Sequence, residues 1–342
     1  MFNSNFIDNI LVLSPILIIL MGLLIWLINY LAYRKRFFAS LHYKLLSIRV
    51  PKEGNMEKSG EDHRKIAEII SASEQIISSL SQYKKPIAFE ITSPIGSKEI
   101  MFYVACPKKE QEYIKKIITA FYPFAEVREA TDYSIFAPQN HTVGSYLTLE
   151  KPYGVPLKTY QNFENDPLNL IVNGLSNVQE GEGAAIQIIL KPAGGYAKKK
   201  IIKDIGEARK GKNYNDLFKK APLFDPKVFI KDMTSVSEEE KKFKDMKPVD
   251  ETLVKNMEAK ASTPLFEVNV RLVVSSSDKF HANFVLGHLE SGFAEIAMPN
   301  MNSFKIKKVS HFALTNFVFK YVYRLFETKN EMVLNSSEIN TI

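Results

Sequence analysis

PIAFEITSPIGSKEIMFYVACPKKEQEYIKKIITAFYPFAEVREA, residues 86–130, changes its hydrophobic period twice, and that change sets the fold class. Ile87 to Ile91 and Ile100 to Ala105 alternate with period two, and the intervening Ser93, Pro94, Ile95 and Gly96 predict a hairpin turn. From Lys108 to Tyr122 the period lengthens. Tyr113, Ile114, Ile117, Ile118 and Phe121 then fall on one side of a helix, and Glu126 to Ala130 returns as a strand. Strand, strand, helix and strand in one run read as an α+β domain.

Working outward toward the C-terminus, strands are predicted near Ser145 to Glu150 and Ala184 to Leu190, with a helix from Pro167 to Val178 between them. Asp166 suits its N-cap and Pro167 its first helical position. Residues 193–262 are rich in Lys and Glu and poor in apolar pattern. After Pro264 the pattern resumes with a strand from Phe266 to Val274, a helix from Asp278 to Leu289, a strand from Phe304 to Val309 and an apolar run from Phe312 to Phe326. The first long helix leads into Phe124-Ala125-Glu126-Val127 and the later one into Phe293-Ala294-Glu295-Ile296. This echo predicts a structural repeat of two split β-α-β modules, as in ferredoxin-like folds.

Toward the N-terminus, Asn9 to Tyr33 carries no charge and is followed at once by Arg34, Lys35 and Arg36. About 20 apolar residues span the hydrocarbon core, so residues 9–33 read as a transmembrane helix. Its flanks argue against a cleaved signal peptide, because Asp8 and no basic residue precedes the apolar run. The positive-inside rule then places residues 1–8 outside and the bulk of the chain in the cytoplasm, on the inner membrane. The expected order continues with a basic juxtamembrane connector at 34–60 and a first α+β module at 61–192. A charged linker or insertion at 193–262, a second module at 263–327 and a tail at 328–342 complete it. A leading helix opens the first module, with Ile66, Ile69, Ile70, Ile76, Ile77 and Leu80 in one apolar stripe. The stripe can lie against its own domain or pair with a second copy; Ile66, Ile69, Ile70, Ile77 and Leu80 are the candidate oligomerisation residues.

The formal charge of +7 is concentrated. Between Lys198 and Lys220 nine basic residues face three acidic ones, a net of +6. Lys198, Lys199, Lys200, Lys203, Arg209, Lys210 and Lys212 are candidate contacts for anionic lipid or for a nucleic-acid backbone. The alternative is a solvated linker that charge merely keeps extended. Tyr196, Tyr214 and Phe218 alone interleave with these lysines, which is thin support for base stacking.

The search for chemistry yields no catalytic, cofactor-binding or metal-binding residue. Gly206 to Asn213 imitates a phosphate-binding loop, but Asn213 stands where a Ser or Thr hydroxyl would hold Mg²⁺. His281 and His288 lie two turns apart, too far for the usual metal pair. These and His42, His63, His141 and His311 read as surface or cap histidines. The single cysteine, Cys106, precedes Pro107 at a strand end and reads as a small core residue. Gly181-Glu182-Gly183 reads as a strand-entry turn.

One set of segments carries a resemblance. Glu90-Ile91-Thr92-Ser93-Pro94, Met101 to Ala105 with Pro107-Lys108-Lys109, Leu157-Lys158-Thr159-Tyr160, Asp166-Pro167-Leu168-Asn169 and Glu180 to Gln187 compose it. Together they resemble the membrane-associated N-terminal region of conjugative type IV secretion ATPases of the coupling-protein-like, HerA/TraG type. The closing Val333 to Ile339 is similar to the stretch that leads into the ATPase domain of that family. The Walker motifs of the motor have no counterpart here, so the resemblance transfers no catalytic residue. It implies a non-enzymatic, membrane-anchored scaffold for a motor ATPase in DNA transfer that is encoded separately or has been cut away, with a homo-oligomer as a further expectation. The alternative is a membrane-tethered nucleic-acid-binding protein that uses the 198–220 basic segment.

Overall fold

The computed structural model describes residues 4–50, 62–97, 99–163, 167–209, 251–297 and 301–342. Its elements run α1 (Ser4–Ser40), β1 (Tyr43–Arg49), α2 (Asp62–Ser79), β2 (Ile87–Ser93), β3 (Met101–Pro107), α3 (Gln111–Phe121), β4 (Glu126–Ala130), β5 (His141–Leu149) and α4 (Pro167–Leu175). They continue with β6 (Gly183–Pro192), α5 (Gly195–Arg209), α6 (Glu251–Ser262), β7 (Leu265–Ser276), α7 (Lys279–Ala294), β8 (Phe304–Lys308), α8 (His311–Val322), β9 (Met332–Asn335) and α9 (Ser336–Asn340).

The strands form one nine-stranded sheet in the order β4-β1-β3-β2-β6-β7-β5-β8, with β9 beside β7. Every pairing is antiparallel. The order repeats. From the β2–β6 seam outward, each half presents its second, third, first and fourth strand in chain order. A helix joins first to second strand and third to fourth in both halves: α2 and α3 in one, α4 and α7 in the other.

Two features differ from the sequence reading. Within the connector expected over residues 34–60, α1 runs on to Ser40 and β1 occupies Tyr43–Arg49, while residues 51–60 lie outside the described residues. A short strand beside a basic cluster offers too few alternations to stand out. Strands β5 and β6, grouped by sequence with the elements before them, instead flank β7 in the second half. Alternation announces a strand but not its partner.

The Phe-Ala-Glu echo also falls at unlike places. Phe124 is exposed and Glu126 opens β4, whereas Phe293 is fully buried and Glu295 caps α7.

One face of the sheet is covered by helices. Leu46, Ile87, Ile91, Val104, Ile186, Val270 and Leu272 meet Ile114 and Ile118 of α3, Ile171 and Leu175 of α4, and Val285, Leu289 and Phe293 of α7 in the main core. Asp278 caps α7 through its side chain, which accepts from the Phe280 N–H. A smaller core at one end of the sheet joins α5 and α6 to Val155, Leu265 and Val333. The flanks of the charged 193–262 segment are therefore packed helices.

The last residues are built in as well. Asn335 and Glu338 form a capping box on α9. The buried Glu338 carboxylate also takes Lys260 Nζ at 2.8 Å and the Leu157 N–H at 2.7 Å.

Candidate functional site

The other face of the sheet is where the chain departs from a plain hydrophobic fold. Register aligns Tyr103, Glu90, Gln187, Arg271 and Tyr146 in one row across β3, β2, β6, β7 and β5. The side chains connect along it. Gln187 Nε2 donates to Glu90 Oε1 at 2.7 Å, and Arg271 Nη1 donates to Gln187 Oε1 at 2.7 Å. Arg271 also lies 5.9 Å from the Tyr146 ring centroid. Glu90, Gln187 and Arg271 are almost completely buried.

Helix α8 closes over this row. Phe317 and Tyr321 pack on Ala185, Val273 and Ile135. The helix ends in a Schellman turn, with the Leu325 N–H bonding the Lys320 carbonyl at 2.9 Å. Glycine usually fills the left-handed position of such a turn, but here it is Arg324, with φ 52°. That conformation aims its guanidinium at Glu90, with Nε to Oε1 at 3.0 Å and Nη2 to Oε2 at 3.1 Å, and at Asp132, 2.8 Å from Nη2. Tyr133 donates to Glu90 and meets the Tyr321 hydroxyl at 2.9 Å. Lys320 pairs with Glu327 at 2.7 Å.

Three cations (Arg271, Lys320, Arg324) thus stand among three carboxylates (Glu90, Asp132, Glu327), so the cluster is neutral as a whole. Burial works against the charge of Arg324, but Glu90 and Asp132 outweigh it and raise its pKa. Burial drives the Tyr133 and Tyr321 hydroxyls upward, so they remain donors. Burial likewise opposes the charge of Glu327, yet Lys320 and Tyr146 hold its carboxyl below the usual value.

Helix α1 ends against this cover. Its segment Leu17–Ser40 contains an apolar window with no buried residue and has the length and composition to cross a membrane. Beyond the basic Arg34, Lys35 and Arg36, which are exposed on the same unbroken helix, Phe37 stacks on Phe319 with centroids 5.5 Å apart and meets Tyr323 edge-on at 4.9 Å. Tyr33 and Arg36 border a shallow pocket with Lys320, Leu325 and Phe326. The apolar helix therefore joins the domain through the helix that covers the charged row.

The other expected site residues lie elsewhere. Lys198, Lys199, Lys200, Lys203 and Arg209 are on the exposed side of α5; Lys200 lies over the Tyr153 ring and Arg209 pairs with Glu258 of α6. Lys210 and Lys212 fall outside the described residues, as does the end of the phosphate-loop lookalike. Ile66, Ile69 and Ile70 belong to α2, but their side chains also fall outside the described residues. Ile77 and Leu80 are buried in the chain's own main core. There a cleft of about 790 Å³ opens among Ile77, Ile91, Phe102, Ile188, Ile339 and Ile342.

His281 Nδ1 lies 2.8 Å from Glu182 Oε1, which also accepts from Ser276. Burial opposes the Glu182 charge, but these bonds and the Gln179 N–H pull its pKa down. Burial raises the Cys106 thiol to about 11. Among the described residues no three His, Cys, Asp or Glu side chains converge to hold a metal ion.

The row Glu90, Gln187 and Arg271 escapes a reading of the sequence alone. Its signal is nonetheless present: Glu90 in IAFEI and Gln187 in AAIQIIL are lone strongly polar residues within apolar runs, and Arg271 is the lone charge in VNVRLVV, where Asn269 is the other polar residue. Only the register shows that the three are neighbours.

These features define a chain in which one long apolar helix leads into, and packs against, a nine-stranded antiparallel α/β domain. The chain belongs to the family described as Domain of unknown function (DUF8128), whose model matches residues 39–342. No curated protein matches it in sequence. Among solved structures, a novel heme-binding protein from Thermus thermophilus aligns over 81% of this chain and 94% of its own. Its identity is 9% and its TM-score 0.20, and a superposition that weak carries no argument about fold or ligand.

Proposed function

We propose that this protein is a membrane-anchored, non-catalytic assembly module that holds a separate motor ATPase of a conjugative or type IV secretion machine at the cytoplasmic face of the inner membrane. The observation that carries the reading is the junction between anchor and domain. Helix α1 passes Arg34 to Arg36 without a break, Phe37 packs on Phe319 and Tyr323, and β1 begins at Tyr43. A flexible linker would only concentrate a partner near the membrane. A packed junction also fixes the orientation of the domain, which is useful when a motor must point at a pore. The basic flank supports an N-terminus outside and a domain inside.

The domain itself is best read as two ferredoxin-like modules joined edge to edge through β2 and β6. The repeated order of second, third, first and fourth strand supports this, as does a helix at each equivalent connection. In the second module the hairpin between β6 and β7 carries the insertion that contains α5 and α6. The quoted segment resemblance supplies the motor as partner.

The test is affinity purification of the detergent-solubilised full chain from its native cells, with identification of every chain that co-purifies. Recovery of a Walker-motif ATPase is the expected result. Stoichiometric recovery of other proteins with no such ATPase would overturn the reading.

A further inference from the structure

Strand register shows which end of the sheet faces α1. Tyr43 at the start of β1 lies opposite Pro107 at the end of β3. That end pairs with the start of β2, where Ile87 lies opposite Leu190 near the end of β6. Helix α5 begins at Gly195, just past Pro192 of β6. With strands about 4.8 Å apart, the path β1-β3-β2-β6 puts the start of α5 on the same edge as Tyr43, roughly 15 Å to the side.

The helix turns Ala197, Ile201, Ile205 and Ala208 toward α6 and the small core. At about 100° per residue its opposite side presents Tyr196, Lys199 and Lys203, flanked by Lys198 and Ile202. Tyr196 is 77% exposed and Ile202 54%. Folding alone does not explain this surface. Lys198 sits in the first helical turn, against the helix dipole, and among the described residues Lys198, Lys199 and Lys203 form no ion pair, in contrast to Arg209 with Glu258.

We propose that the exposed side of α5 is a second membrane contact, which binds anionic lipid headgroups in the leaflet from which α1 emerges. The inference rests on α1 spanning the membrane. A bilayer fits better than a nucleic acid because an exposed tyrosine and isoleucine among lysines suit the boundary between headgroups and acyl chains. A phosphate backbone would use the lysines alone. The lipid charge is also held where the anchor delivers the domain.

The chain contains one tryptophan, Trp26 in α1, which makes the two contacts separable. The full chain is reconstituted into phosphatidylcholine vesicles with and without phosphatidylglycerol, and quenching by brominated acyl chains is measured. The unaltered protein reads α1 through Trp26; a Trp26→Phe, Tyr196→Trp variant reads α5. Trp26 is expected to be quenched in both vesicles. The reporter at position 196 is expected to be quenched several-fold more with phosphatidylglycerol, and to lose that excess when Lys198, Lys199, Lys200 and Lys203 are changed to Gln.

Quenching of Trp26 with none at position 196 in anionic vesicles would overturn the proposal and leave the anchor standing. A shift of the position-196 emission by a DNA duplex in that case would assign the patch to nucleic acid. An unquenched Trp26 would remove the anchor reading, and this proposal with it.

Discussion

The two faces of the sheet are built from the same strands by the same alternation, yet they do different work. The face under α2, α3, α4 and α7 is packed with aliphatic and aromatic side chains, and fully burying one such side chain is worth about 1.5–3 kcal/mol. The face under α8 centres on the row Glu90, Gln187 and Arg271, where desolvation offsets much of what each charge pair returns. The apolar face therefore accounts for stability. The charged face accounts for placement: it holds Arg324 in a left-handed conformation, fixes the end of α8, and so positions the surface on which Phe37 rests.

The sharpest test of that contrast begins with equal losses. Phe293→Ala on the apolar face should destabilise the protein by about 3–5 kcal/mol through the cavity it leaves. Glu90→Ala on the charged face should lose about as much, because Arg324 is left buried without its main partner. The faces should then diverge in denaturant titrations. Adding Arg324→Met to a Glu90→Met variant should restore most of the loss, since Asp132 is exposed enough to be hydrated. No second truncation restores Phe293→Ala. If the Glu90 and Arg324 losses simply add, the pair is not the coupled unit described here.

A smaller effect comes from Arg324→Gly, which relieves the backbone but strands Glu90. The relief is about 1 kcal/mol and the lost pairing about 3–5 kcal/mol, so a net loss of roughly 2–4 kcal/mol is expected. A stabilised protein would show that strain outweighs pairing. Gly183→Ala should lose about 1–3 kcal/mol by overpacking. Its new Cβ would lie 2.6 Å from the Ile135 backbone, which cannot swing aside.

Acid should separate the faces more gently. Glu182 and Glu327 have pKa values below the usual 4.5 when folded. Their contribution is complete above about pH 4.5 and is lost as pH falls through the lower folded values. Glu327→Gln should flatten the fall in stability below pH 4.5; an unchanged acid limb would contradict the assignment. The least perturbing probe is Cys106, fully buried on the apolar face with a thiol raised to about 11. It should resist maleimide in the native protein at neutral pH and react on unfolding, and rapid native labelling would show that this face opens.

Much of the element order is legible because local period carries it. The hairpin of β2 and β3, helix α3 and strand β4 follow directly from the spacing of residues 86–130, and Asp278 marks the start of α7. Partnership is not legible. Nothing local tells Ser145 to Leu149 that it belongs between β7 and β8, and the Phe-Ala-Glu echo points to a repeat from positions that are not equivalent. The charged row escapes for the same reason. One Glu, one Gln and one Arg in three separate strands become a site only when register brings them abreast. Helices α5 and α6 are hidden by composition, because their lysines and glutamates mask the narrow stripe Ala197, Ile201 and Ile205.

The account depends most on the packed junction between the apolar helix and the charged face. The direct measurement is cross-linking in native membranes of a Phe37→Cys, Tyr323→Cys variant on a Cys106→Ala background, with a short bismaleimide. An intramolecular cross-link in most molecules, abolished when Glu90→Ala releases the end of α8, is the predicted result. Equal labelling of both cysteines without a cross-link would mean that the domain hangs free of the apolar helix, and would contradict the account.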